Sequence, residues 1–327
     1  MPQVVIVSPA LRDANNGNWQ TARRWQQHLA GAISTRIVTK WPDAQADRDA
    51  VMVALHARRS ADAISAWSAV HPGHGLAVVL TGTDLYRDIQ TVAAAQRSLA
   101  LAQALVVLQE RAPESLPVTV RAKARVIFQS TRARRALPKS PQRLRAIMVG
   151  HLREEKSPET LFAAARLLAT QRNIRIDHIG EPLDPALGET ARATMAAVPN
   201  YRWLGGLPHE AVRRRIQRAH LLIHASRIEG GAHVIMEAVA SGTPVLASHV
   251  DGNVGMLGAE YAGYFPWGDA NALAALILRC HESRSRRDGE DFLQTLAAQC
   301  RQRAPLFDPP TERSAVRHLV GDLLRER

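Results

Sequence analysis

The stretch Arg145-Ala146-Ile147-Met148-Val149-Gly150-His151-Leu152-Arg153-Glu154-Glu155-Lys156-Ser157-Pro158-Glu159 reads as a strand, a loop and the opening of a helix. A short apolar run closed by a glycine is strand material. Ser157 stands where an N-cap is expected, Pro158 suits the first helical position, and Glu159 puts an acid in the first turn. The same pattern repeats in both directions. Upstream, apolar runs at 4–7, 51–55, 76–80, 104–108 and 124–128 alternate with helical patterns at 21–29, 60–70 and 92–102. Downstream, runs at 175–179, 201–204, 220–224 and 244–247 continue it. Such alternation implies βαβ units and parallel sheets. We therefore expect an α/β chain of two Rossmann-like domains facing a central cleft, residues 1–140 and 144–305, divided at the stretch from Pro138 to Pro141. Residues 306–327 are expected to form a helix that returns to the first domain through Val316, Leu319, Val320, Leu323 and Leu324.

Length and composition agree with this division. At roughly 150 residues per domain, 327 residues suggest two domains. With 46% hydrophobic and 22% charged residues the chain is neither disordered nor fibrous. Cys280 and Cys300 lack any C-x-x-C spacing, so neither a disulfide framework nor a structural zinc is expected, and a reducing cytoplasm fits. Met1 to Pro9 has no basic region followed by a long apolar stretch, and no apolar run reaches the ~18 residues of a span; no signal peptide and no membrane segment are expected. The net charge of +12 comes with only 5% aromatic residues and no nucleic-acid-binding motif. Anionic small molecules are the better partners. Residues 1–143 hold 19 Lys and Arg against 9 Asp and Glu, whereas residues 144–327 hold 23 against 21, so the excess lies in the first half.

The segment Ser226-Arg227-Ile228-Glu229-Gly230-Gly231-Ala232-His233-Val234-Ile235-Met236-Glu237-Ala238, closed by Ser241-Gly242-Thr243-Pro244, is the richest in chemistry. Gly230 and Gly231 let a diphosphate approach free backbone N–H groups at the start of a helix, where the macrodipole favours negative charge. Glu237 then lies about six helical residues on, roughly 9 Å along the axis. Glu229 would bind sugar hydroxyls and Glu237 ribose hydroxyls. In isolation the two glutamates would read as the solvated face of a capped helix. Lys156 and Arg153, in a strand-to-helix loop of the same domain, supply cations that stabilise a departing diphosphate without a metal.

These residues resemble the GT-B glycosyltransferases of the glycogen-synthase-like superfamily, whose donor domain carries G-R-L-x-x-x-K and E-G-x-x-x-x-x-x-E. Carried over by position, the resemblance implies that Lys156 holds the donor diphosphate, Glu229 the sugar, Gly230, Gly231 and Ala232 the phosphates, and Glu237 the ribose. His151 stands where the superfamily has Arg, and Arg153 is the nearby replacement for that charge. Gly205 and Leu207, in Tyr201-Arg202-Trp203-Leu204-Gly205-Gly206-Leu207, resemble the turn whose backbone reads a uracil.

In the first domain, Asn15-Asn16-Gly17-Asn18 follows the first strand, His56-Ala57-Arg58-Arg59-Ser60 the second, and Thr81-Gly82-Thr83-Asp84-Leu85-Tyr86-Arg87-Asp88 the third. Asn18 is a candidate cap for a helix running through Trp25. Asp84 reads as either an N-cap or a catalytic carboxylate, and Arg58 and Arg59 as either surface charges or anion anchors. Together with Gly150-His151-Leu152-Arg153 and Tyr201-Arg202-Trp203-Leu204-Gly205, these strings resemble the selenosugar synthase family of selenoneine biosynthesis. That resemblance implies transfer of a sugar from a UDP-sugar, UDP-glucose or UDP-N-acetylglucosamine, to selenophosphate, with no metal or other cofactor. Selenophosphate is anionic and already a soft nucleophile, so its site needs cations more than a general base. Gly17, Asn18, His56, Arg58, Arg59, Thr83, Asp84 and Arg87 are the acceptor-site candidates. Asp84, Lys156, Arg153 and Glu229 are the catalytic candidates. Two other readings stay open: a transferase acting on a hydroxyl acceptor with Asp84 or His56 as base, and a binding protein for nucleotide sugars or nucleic acid without catalysis. No G-x-G-x-x-G follows any strand, against a nicotinamide-dependent oxidoreductase.

Overall fold

A computed structural model describes residues 3–10, 17–284 and 291–325 of the chain. It divides into two compact units, residues 1–130 with 309–327, and residues 131–308. The first division, after Ser130, falls eight residues before Pro138. The reason is hydrogen bonding. Residues 131–137 are strapped to the second unit by Arg134 N–H to the Ala240 carbonyl (2.9 Å) and Leu137 N–H to the Gln217 carbonyl (3.1 Å). Arg213, 2% exposed, donates to Thr131 Oγ1 and to the Arg132 carbonyl of the same segment.

The first unit is built on a parallel six-stranded sheet of β1 (Gln3–Val7), β2 (Ser34–Val38), β3 (Asp49–Leu55), β4 (Leu76–Val79), β5 (Ala104–Val107) and β6 (Ala124–Val126), in the order β2-β1-β3-β4-β5-β6. Every residue of β3 is buried, the continuous apolar strand of a sheet covered on both faces. Period-two alternation sorts the side chains. Val5, Val7, Met52 and Ala54 pack with Trp41, Ile64 and Trp67 on one face. Val4, Ile6, Val51 and Val53 pack with Trp25 on the other, where the helix Pro309–Arg325 lays down Val316, Leu319, Val320 and Leu323. This helix is fixed by Glu312, 1% exposed, which accepts from Arg24 Nε, Trp25 Nε1 (2.8 Å), Ser130 N–H (2.9 Å) and Ser130 Oγ (2.6 Å).

The second unit has a parallel sheet of β7 (Leu144–Val149), β8 (Ile174–Ile179), β9 (Tyr201–Trp203), β10 (Leu221–His224), β11 (Val245–Ser248) and β12 (Tyr264–Phe265), in the order β12-β11-β10-β7-β8-β9. Chain order reverses between β7 and β10. Ligands of doubly wound sheets bind beyond the strand ends at such a reversal, so the loops after β7 and β10 are the ones to inspect. Among the described residues, no helix is long and apolar enough to cross a membrane.

Candidate active site

The loops after β7 and β10 meet at an ion pair. Lys156 Nζ donates to Glu229 Oε1, and His224 Nε2, at the last residue of β10, lies 3.1 Å from the same oxygen. Glu229 is 9% exposed. Burial alone pushes its carboxyl up, but the Lys156 charge and His224 outweigh it and hold the group below the usual carboxylate range. Burial moves the His224 imidazole the opposite way, below its ordinary value, so it is a neutral donor to Glu229. Arg227 N–H donates to the Glu155 carbonyl (2.9 Å), which ties the two loops through the backbone.

Ser157 occupies the N-cap position of the helix Pro158–Leu167 but does not cap it. Its left-handed backbone (φ 47°) turns Oγ elsewhere, where it accepts from Trp267 Nε1 at 2.8 Å. The Arg227 guanidinium lies over the same indole, 5.0 Å from its centroid. Trp267, 46% exposed, thus stands as an aromatic wall beside the loop that carries Lys156.

His151 and Arg153 separate in role. His151 Nδ1 accepts from the Glu181 N–H at 3.1 Å, which only a neutral ring can do, and burial followed by the Arg153 charge lowers its pKa. The usable cation is therefore Arg153, which is exposed, with Nε 3.8 Å from Glu155. Gly205, at φ 64°, accepts from the Gly180 N–H at 2.9 Å, and Leu207 is half-buried beyond it.

Gly230 and Ala232 are buried and Gly231 half-buried, and among the described residues neither glycine N–H is engaged. The helix opens only at His233. Glu237 is thus four residues into it, about 6 Å along the axis rather than the 9 Å expected. Glu237, 7% exposed, accepts from or pairs with His209 Nε2 at 2.6 Å and Arg213 Nη1 at 3.4 Å. Burial raises its carboxyl, but these two partners outweigh that and hold it below the ordinary value, so it stays ionised. His209 answers with a raised pKa, caused first by its bond to Glu237.

In the first unit the strand-end candidates gather after β3 and β4, but Asp84 is not poised to touch a substrate. It is 0% exposed, and its carboxylate accepts from the N–H groups of Ala57 (3.0 Å), Thr81 (2.9 Å) and Gly82 (3.0 Å). It is a clamp that holds two loops together, which corrects the catalytic reading. His56 is likewise buried, at φ 74°, between Asp84 and Asp88, 3.8 and 3.9 Å away. Burial is the main cause of its lowered pKa. Arg58 Nε donates to Asp88 Oδ2 at 2.7 Å, whereas the exposed Arg59 guanidinium makes no ion pair among the described residues. Arg87 is exposed with Nε 3.4 Å from Asp88, and Thr83 Oγ1 lies 3.4 Å from His56 Nε2. Asn18 lies inside the helix Gly17–Leu29, buried, and does not cap it; Thr21 Oγ1 donates to the Gly17 carbonyl at 2.8 Å. Asn15 and Asn16 lie outside the described residues.

Several site residues are missed by sequence reasoning. His224 had one visible signal, a polar residue ending an apolar strand run. Gly180 and Gly252 had none. A Cβ at Gly180 would lie 1.9 Å from the Gly150 carbonyl oxygen, and one at Gly252 would lie 2.0 Å from the Glu229 carbonyl oxygen and 2.7 Å from its Cβ. Gly252→Ala is therefore expected to push Glu229 off Lys156, at a cost of about 1–3 kcal/mol in stability. Thermal unfolding checks the cost. The accompanying rise in donor-sugar KM checks the displacement, and an unchanged KM would show that Glu229 tolerates the shift.

Residues 129–291 match the family described as glycosyl transferases group 1. A curated relative, the amylovoran biosynthesis glycosyltransferase AmsK of Erwinia amylovora, is 30% identical over 152 residues, covering 44% of this chain and 37% of AmsK. The chain thus matches a little over a third of that relative's length. Among solved structures, sucrose-phosphate synthase from Thermosynechococcus elongatus superposes with a TM-score of 0.78 at 17% identity, over 100% of both chains. HepE of Anabaena, solved with UDP-glucose, gives 0.74 at 15% identity, over 98% of this chain and 99% of that one. At such identities these likenesses speak for the fold. The sequence match and the α/β GT-B architecture thus agree: residues 129–291 are similar in sequence to the glycosyl transferases group 1, and the chain shares their fold.

Proposed function

We propose that this protein transfers a sugar from a UDP-sugar to selenophosphate. The observation that carries the donor half is the buried Lys156–Glu229 pair at the reversal of the second sheet, flanked by the unengaged Gly230 and Gly231 N–H groups. Lys156 and Arg153 stabilise the diphosphate as it leaves, Glu229 accepts from sugar hydroxyls, and Glu237 accepts from the ribose, sharing its carboxylate with His209. HepE was solved with UDP-glucose, a donor of the class proposed here. In the reaction the bond from sugar C1 to the diphosphate oxygen breaks, UDP leaves with the electron pair, and selenium forms the new bond to C1. Loss of the phosphoryl group to water then releases phosphate and the selenosugar.

The acceptor half rests on the first unit. Its strand ends hold the exposed Arg59 and Arg87, while both candidate bases are buried, His56 at 2% and Asp84 at 0% exposure. A site with accessible cations and sequestered bases suits an anionic nucleophile that is already ionised better than a hydroxyl that needs a base. Mass spectrometry of products from UDP-glucose or UDP-N-acetylglucosamine with selenophosphate tests the proposal directly. A selenium-containing hexose together with UDP supports it; UDP release only with hydroxyl acceptors defeats it. Arg59→Ala is expected to raise the selenophosphate KM about tenfold, the loss of one charge-assisted contact, with UDP affinity unchanged. An unaltered selenophosphate KM would remove Arg59 from the acceptor site.

A further inference from the structure

The second unit contains a cavity of about 520 Å³ that shares no residue with the donor site. Its floor is the face of β7 and β8 and its wall is the helix His209–Arg218. Strand register explains the floor: Arg145 lies opposite Arg175, and Asp177 opposite Ile147 and Arg202, so these side chains share one face. The helix contributes Arg214, Arg215 and Arg218, with Arg214 and Arg218 one turn apart. Like charges at that spacing repel.

The charges in the cavity do not cancel. Of its lining residues, four are arginines, Arg145, Arg214, Arg215 and Arg218, and two are acids, Asp177 and Glu210. Both acids are already held by arginines outside the lining: Asp177 by Arg202 through bonds of 3.0 and 2.9 Å, and Glu210 by Arg134 through bonds of 2.9 and 2.7 Å. Arg215 lies 3.7 Å from Asp177, while Arg145, Arg214 and Arg218 make no ion pair among the described residues. Four guanidinium groups thus converge on one volume, three of them without a carboxylate partner among the described residues and the fourth, Arg215, sharing Asp177 with Arg202. Residues 144–327 are nearly balanced in charge, 23 Lys and Arg against 21 Asp and Glu, so this excess is local rather than a share of a basic surface.

Guanidinium forks match phosphoryl oxygens bidentately, and a volume of this size takes a small molecule. The remaining lining, including Ile147, Pro208 and Ala211, is apolar. We propose that this cavity binds a compact polyanion carrying a chain of two or three phosphoryl groups, at a site separate from the donor sugar's.

Calorimetry with inorganic tripolyphosphate on the full chain tests this. Wild type and Lys156→Ala should bind it equally, and Arg214→Ser/Arg218→Ser at least tenfold more weakly, with the affinity of all three falling as salt rises. Both arginines are exposed, so the double variant should fold, and circular dichroism checks that it does. Arg145→Ser, on the floor, gives an independent reading and should weaken binding at least threefold. A nucleoside triphosphate that binds more tightly than tripolyphosphate would assign the natural ligand to nucleotides, whereas equal affinities would assign it to the phosphate chain alone; either supports the site. No binding, loss of binding in Lys156→Ala, or full affinity in both arginine variants would overturn it.

Discussion

Lys156→Ala is expected to lower turnover about 100- to 1,000-fold, the scale of losing one group aimed at a developing anion, with a smaller effect on the KM for the UDP-sugar. Lys156 bears on both members of the proposed donor site. In the proposed reaction it would stabilise the diphosphate as charge develops on it, and in the structure it pairs with Glu229. Removing it leaves a carboxylate that is 9% exposed with His224 as its remaining side-chain partner among the described residues. Breaking a buried pair from one side costs about 3–5 kcal/mol. Burial, the largest influence on Glu229, is then opposed by His224 alone of the two partners, and its carboxyl moves up from its wild-type value. The wild type should therefore show no Glu229 titration in donor affinity across the neutral range, because the group stays ionised. The variant should gain affinity as pH rises through the displaced value. Steady-state kinetics at several pH values separates the two losses, since pairing governs the pH profile and leaving-group stabilisation governs turnover. Turnover within threefold of wild type in a folded variant would remove Lys156 from the mechanism.

How much of this was legible beforehand depended on the range of the contacts. β3 and β7 are apolar runs buried in the middle of sheets, and they announce themselves. β2, Ser34-Thr35-Arg36-Ile37-Val38, does not, because it is an edge strand with no fully buried residue and needs little apolar sequence. β12 has two residues, too few for any period. That Lys156 and Glu229 come together was foreshadowed because each lies in a loop after a strand, β7 and β10, and because glycines follow Glu229. Gly252 was not, because its necessity comes from Glu229, 23 positions earlier in the chain. Asp84 shows the opposite failure. A carboxylate at a strand end looks the same in sequence whether it faces a substrate or three backbone N–H groups, and only burial decides. Ser157 was read as a cap from its place before Pro158, yet a left-handed backbone gives its hydroxyl to Trp267, 110 residues away.

Glu312→Ala is expected to destabilise the first unit by about 3–5 kcal/mol, the cost of removing one side of a buried charged network. The loss is large because this carboxylate, carried by the helix Pro309–Arg325, is the shared acceptor of groups from two other parts of the chain: Arg24 and Trp25 in the helix Gly17–Leu29, and Ser130 after β6. Truncation would leave the Trp25 indole N–H and the Ser130 N–H buried without acceptors, and would loosen the seat of Val316, Leu319, Val320 and Leu323 on the sheet. Burial raises this carboxyl, but His28, Arg24 and Ser130 outweigh it and bring it down to about 2 from 4.5. A folded-state value below the unfolded one means stability that is fully present above about 4.5 and lost as pH falls towards 2. At 1.36 kcal/mol per pKa unit that amounts to about 3 kcal/mol. Urea unfolding between pH 7 and pH 3 should show the wild type losing stability in that window. Glu312→Gln, which keeps the shape and loses the charge, should be weaker at pH 7 and nearly flat through the same window. A Glu312→Gln variant as stable as wild type at pH 7, with the same acid dependence, would mean that the helix is held by its apolar face alone.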